Sequence, residues 1–374
     1  MLRIAPTSAI AIAGLIFACS GALHADPAPP SNDRRHEPSR PSVSTYASGL
    51  TNPRGLTFGP DGSLYVAEAG TGGPQEASGS TDCPRDFNVF SPYSGGYTGR
   101  VVRIRRDGTQ QTVADNLPST SDKTMTGFGP TDVAFVGNTL YVLIEMGGCP
   151  HGMPDDLPGI LRVNPDGTTT PVANLNAWLA ANLPNFIKDR NPLTTDLEPG
   201  GVFHSMIAVG RHLYVVETNR GTLLRVDPRT GEIVRLYDMS IDDREHNPIV
   251  MTRRGNEFFV GTFGEDDGPA ELAVFDRDFS GYTLPFRSRN PLVGLTWRRG
   301  ALYGVEIFPY DDPWTTGTAN LVRFDPRTGA RTEVLKGFAT FPNGLVEGPD
   351  GALYTSNQGI SFVPGDGEVL RIVP

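Results

Sequence analysis

The chain has 374 residues, 44 of them glycine and 33 proline, and a formal net charge of −10. Glycine and proline together make about a fifth of it with no collagen-like period, which with 38% apolar residues describes many short strands joined by tight turns. The acidic balance excludes a nucleic-acid partner, which needs clustered Lys and Arg, and solubility is the simplest use of the charge.

In chain order, the first feature is Arg3 followed by the apolar run "AIAIAGLIFA" from Ala9 to Ala18 and then "CSGALHA". The run is too short to span a bilayer and suits a secretory leader over residues 1–25, with cleavage after Ala22 or Ala25. A second reading makes Cys19, in "IFAC", a lipidated residue. The stretch from Asp26 to Ser42, "DPAPPSNDRRHEPSRPS", is polar and proline-rich and is expected to be a disordered linker. No later segment is long and apolar enough to cross a membrane, so an exported protein, periplasmic or extracellular, is expected. Loss of the leader leaves Cys83 and Cys149. An even pair in an exported chain points to one disulfide, two free thiols being the alternative. No C-x-x-C spacing suggests structural zinc.

From Asn52 the phrase "NPRGLTFGPDGSLYVAEAGTGG" opens a unit that recurs. In "GSLYVAEA" both strand faces are apolar, as in a sheet covered on both sides. The preceding "GPDG" supplies a tight hairpin, and "GRVVRIRRDGTQQTVA" adds strand, Asp-Gly turn and strand. One unit is a four-stranded antiparallel meander. Its inner strands start near Arg54, Thr131, His204, Ile249, Val293 and Asn343, and the compact units are about 45 residues apart, as in propeller blades. The last unit stops after "VLRIV" without an outer strand, and "SVSTYASGL" (Ser42 to Leu50) is placed to supply it. The expectation is an all-β, six-bladed β-propeller over residues 43–374, closed by its N-terminal strand. Closure removes free sheet edges.

Five phrases, "GLTNPRGLTFGPDGSLYVAEAGTGG", "TGRVVRIRRDG", "NLNAWLAANLPN", "NRGTLLRVDPRTG" and "FPNGLVEGPDGALYTSNQG", resemble the ScyD/ScyE family of exported NHL-like propellers. The resemblance implies fold and export and attaches no catalytic set. One departure is "DLEPGGVFHSM", which enters the third blade where relatives have an Asn-Pro turn.

Long insertions fall on one rim of the expected ring, among them Ala69–Thr98, the loop holding Cys149, and Asn174–Gly200 with a helix near Asn176–Asn182. Loops gathered on one face of a rigid scaffold are where binding resides. A Cys83–Cys149 bridge would pin the first two. Inner-strand entrances place Arg54, His204 and Asn343 at the channel mouth, and second-strand exits place Glu68, Glu145, Glu217, Glu306 and Asn357 there. Four glutamates at one place in the repeat read either as a ring for a cation or amine, or as acceptors of backbone hydrogen bonds and local arginines.

The functional expectation is an exported, monomeric, non-enzymatic propeller binding a small molecule or protein at this rim, with no established cofactor. The alternative is a metal-dependent hydrolase resembling gluconolactonases, in which Asn343 and Asp132 would help hold a divalent cation such as calcium; a metal-assisted lyase using His204 with Glu217 or Glu306 is a further option.

Overall fold

The repeated phrases build repeated turns in the computed structural model, which describes residues 40–76, 92–122, 127–156, 158–183, 200–242, 246–264, 269–288, 290–307, 317–361 and 363–374. The expected secretory leader, most of the expected linker, and Cys83 therefore lie outside the described residues. In "GPDG" the Gly59 amide donates to Ser63 O (2.8 Å) and the Asp61 carboxylate accepts from Ser63 N (3.0 Å). Near the other end Gly348 N donates to Ala352 O (2.8 Å) and Asp350 accepts from Ala352 N (3.1 Å). The left-handed turn position is glycine in both, Gly62 (φ 72°) and Gly351 (φ 73°), since a Cβ disfavours that conformation.

The strands form six sheets in a propeller. The first blade is Pro53–Phe58, Leu64–Glu68, Ser94–Ile104 and Gln110–Ser121, with Gln75–Glu76 added at Ser94–Gly95. The second is Pro130–Val136, Thr139–Ile144, Gly159–Val163 and Thr169–Asn174, and the third Phe203–Val209, His212–Glu217, Thr222–Asp227 and Glu232–Asp238. The fourth is Pro248–Arg254, Glu257–Thr262, Ala270–Phe275 and Tyr282–Ser288, and the fifth Leu292–Arg298, Ala301–Glu306, Ala319–Asp325 and Ala330–Ala339. The sixth joins Asn343–Glu347, Leu353–Asn357 and Gly367–Val373 to Ser42–Leu50, which lies antiparallel to the last strand from Ser42↔Val373 to Leu50↔Gly367. The expected closure is therefore present.

Each inner layer of apolar side chains is shared by two or more blades. Leu50, Leu56, Leu64, Val66, Tyr354 and Val369 form one cluster across the closing seam. The repeated tyrosines do the same work at two seams. Tyr65 reaches Asp61 and sets its ring edge-on to Phe135 of the second blade, with centroids 4.9 Å apart. Tyr354 reaches Asp350 and meets Phe58 of the first blade at 5.1 Å. Such pairs add about 0.5–1.5 kcal/mol to the burial of the rings themselves.

One feature differs from the expected loops, while the expected insertion helix is present. Residues 94–98 continue a strand instead of ending the insertion, so the outer hairpin of the first blade rises above the rim. It does so where backbones touch: a Cβ on Gly73 would lie 2.6 Å from Gly96 Cα. The insertion helix spans Leu175–Ala181, capped by the Asn174 side chain, which accepts from Ala177 N (2.8 Å). Leu179 is buried beneath it, and the Arg235 guanidinium lies over the Trp178 ring at 5.5 Å.

The closing strand is mostly exposed, and Leu50, which is fully buried, anchors it. Leu50→Ala is expected to cost about 2–5 kcal/mol of unfolding free energy by urea denaturation. A loss below about 0.5 kcal/mol, the range of an ordinary surface substitution, would contradict the seam's role.

Candidate functional site

The six inner strands surround a channel cavity of about 340 Å³, whose wall includes Leu56, Val133, Met206, Val250, Leu295 and Leu345. The inner-strand entrances and second-strand exits meet at one end of it, the end from which the insertions leave.

Most of the nominated acids are committed within their own blades. Glu68 is fully buried, accepts from Thr51 N, and forms an ion pair with Arg100 of the neighbouring strand. Glu217 accepts from Val202 N (3.1 Å) and Arg220 N (2.9 Å), with the Arg220 guanidinium 3.7 Å away. Glu306 receives both arms of Arg331, at 2.8 and 2.6 Å. In the sixth blade Asn357 accepts from Thr340 N (2.8 Å) and donates to Glu368 (3.1 Å). These residues latch the end of a second strand to the link entering its own blade or to an outer strand. Asn343 likewise turns inward, exchanging hydrogen bonds with the Ser356 hydroxyl through its backbone.

Glu145 breaks the pattern. It is buried, its Oε2 has no hydrogen-bond partner among the described residues, and its Oε1 lies 3.9 Å from His204 Nε2. Arg54 is beside both. Its guanidinium donates to Gly127 O (3.0 Å) and lies over the Phe128 ring at 5.8 Å, while its Nε is unpaired among the described residues. The Thr131 hydroxyl donates to His204 O (3.2 Å), fixing the strand that carries the imidazole. A small apolar cluster of Tyr93, Phe128 and Met146, with Val202 against it, adjoins this group. The structure thus brings together Arg54, Glu145 and His204, one from each of the first three blades.

Their protonation follows from burial. Desolvation, then the nearby Arg54 charge, lowers the His204 imidazole to about 3, so it is neutral at pH 7 with a lone pair to offer. Desolvation raises the Glu145 carboxyl against the pull of Arg54.

Asp132, one residue past Thr131, faces the channel but is tied up. It accepts from Val133 N and Met206 N, both at 2.8 Å, joining the second blade to the third. Burial pushes its carboxyl up to about 7 against these hydrogen bonds. Gly55 makes room for it, since a Cβ there would lie 2.1 Å from Asp132 Oδ1. Among the described residues no group of three His, Cys, Asp or Glu is placed to hold a metal ion. Cys149 opens a 3-10 turn, Cys149–His151, on the second blade, whereas its expected partner Cys83 lies outside the described residues.

No protein-family model matches the chain, and no curated protein matches it. Solved structures do share its fold. An oxidoreductase named as a glucose dehydrogenase, from Thermus thermophilus, aligns over 89% of this chain and all of its own, with 18% identity and a TM-score of 0.56. The PQQ-bound aldose sugar dehydrogenase of Streptomyces coelicolor aligns over 90% of this chain and 98% of its own, with 14% identity and a TM-score of 0.53. A further glucose dehydrogenase aligns over 89% and 99%, at 13% identity and a TM-score of 0.53. At such identities the likeness establishes the propeller fold and leaves the ScyD/ScyE resemblance without support from a family match. It also corrects the functional expectation. The non-enzymatic binder, and the gluconolactonase-like hydrolase set beside it, rested on a scaffold with no redox chemistry attached, whereas these three solved propellers are named as sugar dehydrogenases.

PQQ, a quinone bearing three carboxylates, asks for several unsatisfied cations. At this mouth the described residues do not fit it: Arg100, Arg220 and Arg331 already face glutamates, and Arg54 stands beside Glu145.

Two measurements test these assignments. Arg331→Gln strips the paired cation from fully buried Glu306 and is expected to cost about 3–5 kcal/mol of stability. For Asp132 the folded pKa, about 7, exceeds the ordinary 3.8, so its contribution to stability is complete below the ordinary value and is lost as pH rises through the folded one. Relative to Asp132→Asn, the native protein is expected to lose on the order of 1–3 kcal/mol between pH 5 and pH 8; parallel stability curves would contradict the assignment.

Proposed function

We propose that the protein is an oxidoreductase acting on a hydroxyl group of a sugar-like substrate at the insertion-bearing mouth of its channel. The observation that carries this reading is the meeting of Arg54, Glu145 and His204 at the channel mouth, where Glu145 Oε2 and Arg54 Nε are buried without hydrogen-bond partners among the described residues; the shared fold of solved propellers named as sugar dehydrogenases supports it. Oxidising an alcohol removes a proton from oxygen and a hydride equivalent from carbon. The residues in hand account for the proton. Neutral His204 accepts a hydrogen bond from that hydroxyl at Nε2 and orients it, and Glu145, 3.9 Å from that atom and made more basic by its burial, takes the proton. Arg54 steadies negative charge developing on the substrate oxygen. The neighbouring Tyr93, Phe128 and Met146 give the group an apolar margin that strengthens these interactions. The hydride equivalent passes from carbon to a diffusible two-electron acceptor of the quinone class, which is reduced to its hydroquinone and whose place the dye takes in the assay, since the described residues do not fit PQQ.

Several expectations belong to the same proposal: export by the leader over residues 1–25, membership of the ScyD/ScyE family, the Cys83–Cys149 bridge pinning two rim insertions, and a monomeric state. No helix among the described residues is long and apolar enough to cross a membrane.

The test is dye-linked oxidation of a panel of aldoses by the purified protein, as isolated and after incubation with PQQ and calcium. Turnover is expected with at least one sugar, and His204→Ala is expected to lower kcat about 10²–10⁴-fold with little change in melting temperature. No dye reduction in either arm by a folded protein would overturn the proposal, as would full activity of His204→Ala.

A further inference from the structure

The opposite end of the propeller, where the tight hairpins lie, carries a second feature of unexpected charge. Between the fourth and fifth blades is a cavity of about 520 Å³ whose lining includes Arg254, Trp297, Arg323, Asp325 and Arg327. Three cations against one carboxylate leave it with a formal surplus of two positive charges, on a chain whose total is −10. A local reversal of sign inside a repelling background selects anions and concentrates them.

The groups are arranged as a receptor would be. Arg254 is held flat over the indole of Trp297, its guanidinium carbon 4.4 Å from the ring centroid, and Nη1 donates to Gly300 O (3.0 Å). Stacking on the ring and one hydrogen bond orient the guanidinium while leaving it further donors. Arg323, on the third strand of the fifth blade, is exposed and has no ion pair among the described residues. Arg327 is 84% exposed and only loosely associated with Asp325, at 3.8 Å. That carboxylate is occupied with its own turn, accepting from Arg327 N at 3.0 Å. The Trp297 ring forms part of the lining, and its Nε1 is buried with no hydrogen-bond partner among the described residues. Buried donors without partners are rare, because a lost hydrogen bond to water is not replaced.

We propose that this groove binds a small organic oxyanion, a carboxylate or a phosphate ester, through Arg254 and Arg323 with the Trp297 indole alongside. Planar guanidinium groups match the paired oxygens of either group, and the cavity has room for a molecule the size of a monosaccharide. The groove is at the hairpin end of the blades, where Arg254 pairs near Glu257 and Arg298 with Ala301. Arg54, Glu145 and His204 are at the other end, so occupancy here is independent of the proposed oxidation.

The test is calorimetric titration of the whole purified protein at low ionic strength with D-glucuronate, D-glucose 6-phosphate and, as neutral control, D-glucose. At least one anion is expected to bind saturably. Arg323→Gln and Arg254→Gln should each weaken it about tenfold, with any glucose signal unchanged. Binding of glucuronate alone assigns a carboxylate, and of the phosphate alone a phosphate ester. Arg323 supports no other described side chain, so its variant is expected to fold and to keep its dye-linked activity. If neither anion saturates, or if both variants bind as the native protein does, the inference is wrong.

Discussion

The pairing of Ser42–Leu50 with Gly367–Val373 is the constraint on which the rest of the molecule depends. A propeller blade exposes an apolar face on each side, and a ring lets every face find a neighbour. Without the closing strand the sixth blade would present an unpaired edge, and the cluster around Leu50, Leu56 and Val369 would lose a wall. The seam is reinforced at the rim by Asn52, whose side chain accepts from Ser361 N (2.9 Å) and donates to Gly70 O (2.8 Å). One asparagine thereby ties the first blade's entrance to both ends of the fold.

With the ring closed, the polar residues of the rim divide into two kinds. Glu68, Glu217, Glu306 and Asn357 are consumed in holding strand ends to links or to outer strands. Their burial is tolerable because each faces a cation or backbone amides. Glu145 occupies the corresponding place in the second blade without such satisfaction. A buried carboxylate oxygen left without a partner is costly unless something else uses it, which singles out one sector of a quasi-symmetric ring. The repeat itself supplies the contrast.

The fold was legible in the sequence because its signals are local and repeated. "GPDG", "PRTG" and the apolar strands each specify their own geometry, and six copies leave little choice of architecture. The helix expected near Asn176–Asn182 lies at Leu175–Ala181, and the Asn174 cap that starts it emerged only in the folded chain. The rim was legible only as positions. Nothing in the sequence distinguishes Glu145 from Glu217, because the difference lies in which amides and arginines the folded chain brings near. The rise of residues 94–98 into a strand was hidden by glycines, which read as loop when their purpose is close backbone contact. The Arg254–Trp297 stack joins residues of two blades and escaped notice for the same reason. The chemistry was the least legible part, since a propeller scaffold carries no sequence mark of it.

The closing strand also has a temporal consequence. Its partner is made more than three hundred residues later, as the contact between Asn52 and Ser361 illustrates at a separation of 309. During synthesis the segment from Ser42 must therefore wait, and long-range β pairing of this kind is slow. Its composition suits the wait: four of its nine residues are serine or threonine, and Ala47 and Leu50 alone are buried once the ring is made. Its apolar residues never run more than two together, which offers little to a stray neighbour and protects the nascent chain during the interval when it is most open to mispairing.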